Sequence, residues 1–486
     1  MITNNRITIF SAVITILLGF FIFNWWVKAS PPLLIDISQP GDDNAPSQAV
    51  AASQLKEIKF GSVKAVFDPL INEIQGEWPR FRGKNYSNIS QVSGLIDQPE
   101  NIDQRILWSV DLGEGHAGAA VKYGRVYVLD YDEIGKADIL RCFALSDGSE
   151  LWNIGYEVSI KRNHGITRTI PAVSDSVVVT IGPRCHVMGI DAITGDLIWG
   201  LDLEKDFGVK VPLWYTGQCP LIDGNTAVIA VGGTDILMMG IDCSTGKIQW
   251  QVPNTLGLKM SHSSIMPMNF FDTRQYVYSA IGGIISVSAE EENKGQLLWS
   301  SNIWTASVIA PTPVQLDNNR IFVTAGYSAG SMMLQISKTD NDYVIESIQT
   351  VTPVEGIASE QQTPLLNDGL LCAVLPKDAG IHKEQFACFD TSDLTSLVWS
   401  SGKNRRFGLG PYLRADDKYF ILDDEGVLTV IQAGINHYNE LFQYDLFKGH
   451  DAWAPIALVD RKLILRDSNT MLCLDVSKSF QMGAAL

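Results

Sequence analysis

The chain has no CxxC pair, and its seven cysteines are an odd number, so zinc-ribbon and thioredoxin-type readings lack their ligands. It has no HExxH or Walker-type loop, which removes the signatures of helical zinc proteases and P-loop enzymes. Positive charge is scarce: 37 Lys and Arg stand against 54 Asp and Glu, a formal charge of -17. That balance disfavours nucleic acid and anionic lipid as partners of the whole surface and leaves room only for a local basic patch. No cysteine precedes Cys142, so an N-terminal lipid-modified Cys is excluded. What is present is a 46% apolar fraction and 41 glycines, a composition of β-rich globular protein rather than disorder. The 486 residues suffice for two or three ordinary domains or for one large repeat domain.

A repeat decides between these. GIDAITGDLIW (Gly189 to Trp199) reads as a short strand, a tight turn and the start of a second strand. Asp191 and Thr194 are suited to bonding the turn backbone, and Gly195 supplies the positive φ the turn needs. The stretch returns as CFALSDGSELW (Cys142 to Trp152) and GIDCSTGKIQW (Gly240 to Trp250), and more loosely before Trp299 and Trp399. The steps between Trp152, Trp199, Trp250, Trp299 and Trp399 are 47, 51, 49 and 100 residues. The double step predicts one further repeat that lost its Trp, near Ile345. A period near 50 residues with several short strands per unit is that of propeller blades. Cys142, Cys243, Cys388 and Cys473 fall on the repeat's third strand and read as small buried apolar residues.

The first 76 residues stand outside this pattern. From Ile7 to Val27 the chain is almost wholly apolar, and about 21 residues at 1.5 Å each cross a bilayer. Trp25, Trp26 and Lys28 sit where interfacial anchors are favoured. The expectation is an uncleaved transmembrane helix, with a cleaved signal peptide as its rival. Residues 1–30 are thus the membrane anchor, 31–76 a linker, and 77–486 the repeat domain. The linker is polar and Pro/Gly-punctuated over Gln39 to Ser53; Gln54 to Pro69 suits either a short helix or a strand. Glu77-Trp78-Pro79-Arg80-Phe81-Arg82-Gly83 follows, a surface segment whose Trp78 and Phe81 need something to pack on. Plain packing is favoured there over a cation–π role for Arg80 or Arg82.

The repeat A-x-D-x-x-T-G-x-x-x-W, preceded by W-P-x-F-R-G, resembles the bacterial quinoprotein-type (PQQ-like) propeller family over about Glu77 to Ser477. The resemblance implies an all-β, eight-bladed propeller of four-stranded blades, with Trp108, Trp152, Trp199, Trp250, Trp299 and Trp399 docking blade on blade. Lys84 departs from the family's Pro after the opening Gly, and two blades lack Trp. The blade count is independently legible: innermost strands are expected to begin near Ala117, Pro171, Pro220, Ser263, Pro313, Pro364, Pro411 and Pro455. The last repeat runs out one strand short, and Ile106 to Val110 is a Trp-bearing strand with no repeat before it. Pairing the two closes the ring and removes open sheet edges.

Propellers bind where the loops before the innermost strands converge on a central funnel. Those loops carry His116, His164, Arg168, Tyr215, Gln218, His262, Gln361, Arg405, Arg406, His450 and Trp453. Three readings stand: a wet channel mouth that tolerates polar residues, a pocket for an anion or polar ligand on Arg168 and Arg406, or a metal on His116, His164 and His262, which lack ligand spacing. Quinoprotein dehydrogenases of this resemblance carry adjacent cysteines and carboxylates around calcium. This chain has no adjacent cysteines, and Glu360 and Asp451 are the nearest carboxylates to the funnel positions. The expectation is therefore the cofactor-free branch, without PQQ, calcium or a metal and with no catalytic residue. Such a protein is a membrane-anchored, extracytoplasmic scaffold for envelope proteins; a PQQ-dependent oxidoreductase of alcohols or sugars is the alternative.

Overall fold

The computed structural model describes residues 14–25, 57–67, 74–98, 101–339, 342–434 and 436–479. The chain separates into two compact units, 1–44 and 45–486. In the first, residues 14–25 are helical with exposed apolar side chains. The expected span from Ile7 to Val27 is not supported: among the described residues no helix is long and apolar enough to cross a membrane. Its two ends, 7–13 and 26–27, lie outside the described residues, as does the linker from Gln39 to Ser53.

The second unit is all-β, with eight sheets of four or five strands. Blade 1 runs Ala120–Lys122, Arg125–Asp132, Ala137–Ala144 and Glu150–Glu157 from the axis outwards. Blades 2 to 7 repeat the pattern from inner strands Ala172–Val173, Leu221–Asp223, Met266–Phe270, Val314–Gln315, Leu365–Asn367 and Tyr412–Ala415. Each inner strand begins within a few residues of its expected place. Blade 8 takes Ala457–Val459, Lys462–Arg466 and Thr470–Asp475 from the end of the chain and Ile106–Asp111 from its beginning. Trp108 pairs with Cys473 in that joint, so the ring closes with two distant segments in one sheet.

One detail explains the repeat. In every blade the outer strand slips register by one residue at the docking position. The slip tilts the docking side chain towards the next blade, as a bulge does. There the turn glycine has left-handed φ and no Cβ. A Cβ on Gly148 would stand 2.8 Å from the Trp108 ring, and one on Gly195 or Gly246 2.5 Å from Trp152 or Trp199. Trp152 and Trp199 also donate their indole N–H to the next blade's Ile193 carbonyl at 3.0 Å and Cys243 carbonyl at 2.7 Å. Trp250 stacks on Tyr276, and Trp399 meets Tyr419, each in the following blade. Trp299 instead donates within its own blade, to Gln275 Oε1 at 3.0 Å.

Blade 5 is the expected repeat without Trp: Gln349, opposite Met333 and on the same strand as Ile345, holds the place. Gln349 keeps the contact by hydrogen bonding: its amide donates to Asp393 at 2.6 Å and accepts from Leu394 N at 2.9 Å, both in the blade 6 turn. Phe442 takes the docking place in blade 7. Cys388 departs from the reading of a lone buried residue, because it faces Cys372 on the neighbouring strand and forms a disulfide with it. Facing residues of an antiparallel pair approach closely enough for that bond, a relation invisible in a spacing of 16. The other five cysteines are free and buried.

The opening segment is not on the surface. It lies across the channel, pairing Trp78 with Val121 of blade 1 and Ile89 with Arg414 of blade 7. Trp78 is buried at 4% exposure. Arg82 donates to the carbonyls of Tyr86 at 2.8 Å, Thr363 at 2.8 Å, Ser87 at 3.0 Å and Pro364 at 3.2 Å, which ties the segment to blade 6. Arg80 does lie over an aromatic ring, that of Tyr86, at 5.3 Å from its centroid, and donates to the Ile222 carbonyl of blade 3 at 2.7 Å. Packing and cation–π contact thus coexist there. Upstream, Val63–Val66 forms a fifth strand on the outer edge of blade 1.

Candidate functional site

The loops leading into the eight inner strands converge on one cavity of about 330 Å³. Each loop lines it with at least one residue, from His116 before blade 1 to Trp453 and Pro455 before blade 8. Phe81 of the opening segment also lines it, so the segment that crosses the channel supplies part of its floor.

Aromatic rings dominate the walls. Trp453 lies 4.8 Å from the His116 ring, and its indole N–H donates to Asp424 Oδ1 at 2.8 Å. Trp214 stacks on Tyr327 at 5.7 Å and stands 6.3 Å from His262. The polar groups of blades 1 and 2 are mostly occupied by their own loops. Arg168 donates to the carbonyls of Asn163 at 3.0 Å, His164 at 2.8 Å, Gly165 at 3.2 Å and Ile166 at 3.3 Å. It is a loop staple whose charge meets no carboxylate in an ion pair among the described residues. Burial lowers its pKa to about 10, which leaves it charged at neutral pH.

That charge acts on its neighbours. Burial first, then Arg168 and Arg466, push His116 down to about 3; burial and Arg168 push His262 down to about 4. Both rings are neutral at pH 7. His116 Nε2 contacts the His164 carbonyl at 2.9 Å, which makes Nε2 the protonated nitrogen of the neutral ring. On the far side Glu360 is half-buried and forms no ion pair among the described residues. Burial raises its pKa, with Lys377 opposing and Asp378 and Asp424 adding to the rise.

Of the expected site residues, His116, His164, Arg168, His262, Gln361 and Trp453 line this cavity. Gln218 does not: its amide bonds both backbone groups of Ala230 at 2.8 Å, acting as a substitute strand partner. Arg406 is outside the lining and donates to the Lys383 carbonyl, so no site is shared by Arg168 and Arg406. Arg405 pairs bidentately with Glu440, and His450 with Asp451. Tyr215 donates to the Lys161 carbonyl at 2.5 Å. Trp214 takes the inward place instead, because Trp214 and Tyr215 both have left-handed φ, 60° and 72°, which reverses ordinary alternation. Tyr327 and Lys377 were missed because they come from loops between second and third strands. Phe81 was signalled by its need for packing.

The cavity does not suit the calcium and quinone of the dehydrogenases. Calcium takes about 6–8 oxygen ligands, whereas Glu360 is the one carboxylate in the lining. The one lining cysteine, Cys219, is free. Among the described residues no group of three His, Cys, Asp or Glu side chains is placed to hold a metal. His116, His164 and His262 therefore share a cavity without forming a ligand set.

Comparison with known proteins follows the fold. The quinohemoprotein alcohol dehydrogenase of Comamonas testosteroni is similar at 11% identity and a TM-score of 0.56, over 84% of this chain and 82% of that one. A europium-containing methanol dehydrogenase is similar at 12% identity and a TM-score of 0.53, over 80% of this chain and 89% of that one. BamB from Moraxella catarrhalis is similar at 14% identity and a TM-score of 0.49, over 75% of this chain and 98% of that one. No curated protein matches. The sequence model of the outer membrane protein assembly factor BamB matches residues 135–393, more than half of the chain, and the chain belongs to that family.

Proposed function

We propose that this protein is a membrane-tethered, extracytoplasmic scaffold whose funnel face binds an envelope protein. The observation that carries the reading is the funnel itself. Eight loops converge on an aromatic cavity floored in part by Phe81, and its one staple arginine is spent on backbone carbonyls. Aromatic walls with a polar rim suit a partner's side chains. Membership of the BamB family favours the same role. The Cys372–Cys388 disulfide favours an oxidising compartment. The funnel residues His116, His164, Arg168, His262, Gln361 and Trp453 supply the contact in this reading.

The second reading is a PQQ-dependent oxidoreductase, favoured by the fold it shares with the alcohol dehydrogenases. Equilibration with PQQ and calcium, followed by gel filtration and a dye-reduction assay with alcohols and sugars, separates the two. The scaffold reading expects no retained chromophore and no substrate-dependent dye reduction. Stoichiometric retention with turnover establishes the oxidoreductase.

A further inference from the structure

We infer that residues 57–67 form a proton-controlled strap on blade 1, held down while the buried Asp138 carboxyl beneath its edge is uncharged and loosened as that carboxyl ionises. The inference concerns the outer edge of the ring and does not depend on what the funnel binds.

The strap is a short antiparallel strand. Val63 pairs with Gly155 and Val66 with Trp152, and Phe67 N donates to the Leu151 carbonyl at 2.8 Å. Before the strand, Ser62 N donates to the Lys59 carbonyl at 3.1 Å, closing a turn that presents Phe60. Phe60 lies edge-on to Tyr156 at 5.2 Å and to His186 at 6.0 Å. It is seated on Gly200, where any Cβ would collide with the ring. Phe60 thus covers the seam between blades 1 and 2 at one point.

Beneath that lid the polar groups are incompletely satisfied. Tyr156 donates to Asp138 Oδ2 at 2.5 Å, and Asp138 has no exposed surface. Asp138 Oδ1 and His186 Nδ1 are both buried without a hydrogen-bond partner. The surrounding charges give the carboxylate no counter-ion. Asp130 on the adjacent strand is of like sign. From blade 2, His186 stands 3.7 Å from Asp202, and Arg184 pairs with Glu204 at 2.7 Å. On the strap, Lys64 is turned to Asp196.

An ionised Asp138 is therefore a buried, unpaired charge, and burial raises its pKa from 3.8 to about 7. Lifting Phe60 admits water to the Tyr156–His186 seam and lets the carboxyl return towards its ordinary value. The closed form then binds more protons than the open one between those two values. Asp138 by itself makes opening grow with pH across that window, by at most tenfold per unit, levelling off above pH 7, while His186, which burial lowers to about 4, opposes it below about pH 6.5.

Amide hydrogen exchange on the full chain, corrected for the intrinsic rate at each pH, reads this directly. Protection at Val63–Phe67, taken as its ratio to that in Asp138→Asn, is expected to fall by up to about 100-fold from pH 5 to pH 7 and to change little above pH 8. The blade 5 hairpin, Gly330–Lys338 with Tyr343–Val351, is expected to hold steady. Asp138→Asn keeps only the His186 dependence, so its strap protection rises from pH 5 to pH 6.5 and is flat above it, and Phe60→Ala lowers protection at every pH. The same profile in the unaltered protein and in Asp138→Asn, or equal loss in the blade 5 hairpin, overturns the inference.

Discussion

The indole N–H of Trp108 donates to the carbonyl of Leu145 at 2.9 Å, joining the strand that completes the last blade to the blade built immediately after it in the chain. Trp108 belongs to blade 8 and Leu145 to the edge of blade 1, so this bond and the Trp108–Cys473 pairing lock the ring on both sides. Replacing Trp108 by Ala is expected to cost about 3–5 kcal/mol, as truncation of a buried aromatic does. Urea denaturation measures it. A loss below about 1 kcal/mol would mean closure rests on the strand pairing alone.

Arg82 holds the opening segment through five-donor geometry that a lysine lacks. Arg82→Lys is expected to lower stability by at least about 1–3 kcal/mol, because the Thr363 and Pro364 carbonyls lose buried donors. Thermal unfolding checks the size, and Arg82→Lys with unchanged stability would show that the segment is held by Trp78 and Phe81 alone.

His116 sets an acid limit. Its folded pKa of about 3 lies below the unfolded value near 6.5, so below pH 6.5 the unfolded chain takes up a proton that the folded one refuses. Stability is full above pH 6.5 and falls with pH towards 3, by up to about 1.4 kcal/mol per unit from this residue. His116→Gln is expected to flatten that part of the curve. Urea midpoints at pH 7, 6, 5 and 4 in both proteins test it; equal slopes would assign the acid limit elsewhere.

The Cys372–Cys388 bond is expected to survive purification without reductant. Thiol titration under denaturing conditions then finds five thiols, and seven after reduction. Replacing both cysteines by Ala is expected to cost about 3 kcal/mol for a loop of this length. Seven thiols without reductant would remove the argument from compartment.

Much of this fold is legible in the amino acids because a propeller repeats its local chemistry. Trp199, Gly195 and Asp191 recur at one period, and the unpaired strand around Trp108 matches the strand the last repeat lacks. What escapes is set by backbone detail. The Cys372–Cys388 pairing depends on which residues face each other across two strands. Gln349 replaces an indole by hydrogen bonds, so no apolar residue marks the place. The funnel was half legible: loop position found His116 and Trp453, but consecutive left-handed residues put Trp214 inward in place of Tyr215. Arg168 and Arg406 look alike in sequence, yet one staples its own loop inside the cavity and the other lies outside it.

The most direct test of the scaffold reading is photo-crosslinking in intact cells from the two ends of the ring. A photoreactive residue at Lys377 reports on the funnel rim, and one at Asp175, in the hairpin after the inner strand of blade 2, reports on the opposite face. The account predicts one envelope protein captured from Lys377, little from Asp175, and a weakened adduct when Arg406→Glu reverses charge beside the rim with the fold intact. No adduct from Lys377, or the same adducts from both faces, would contradict it.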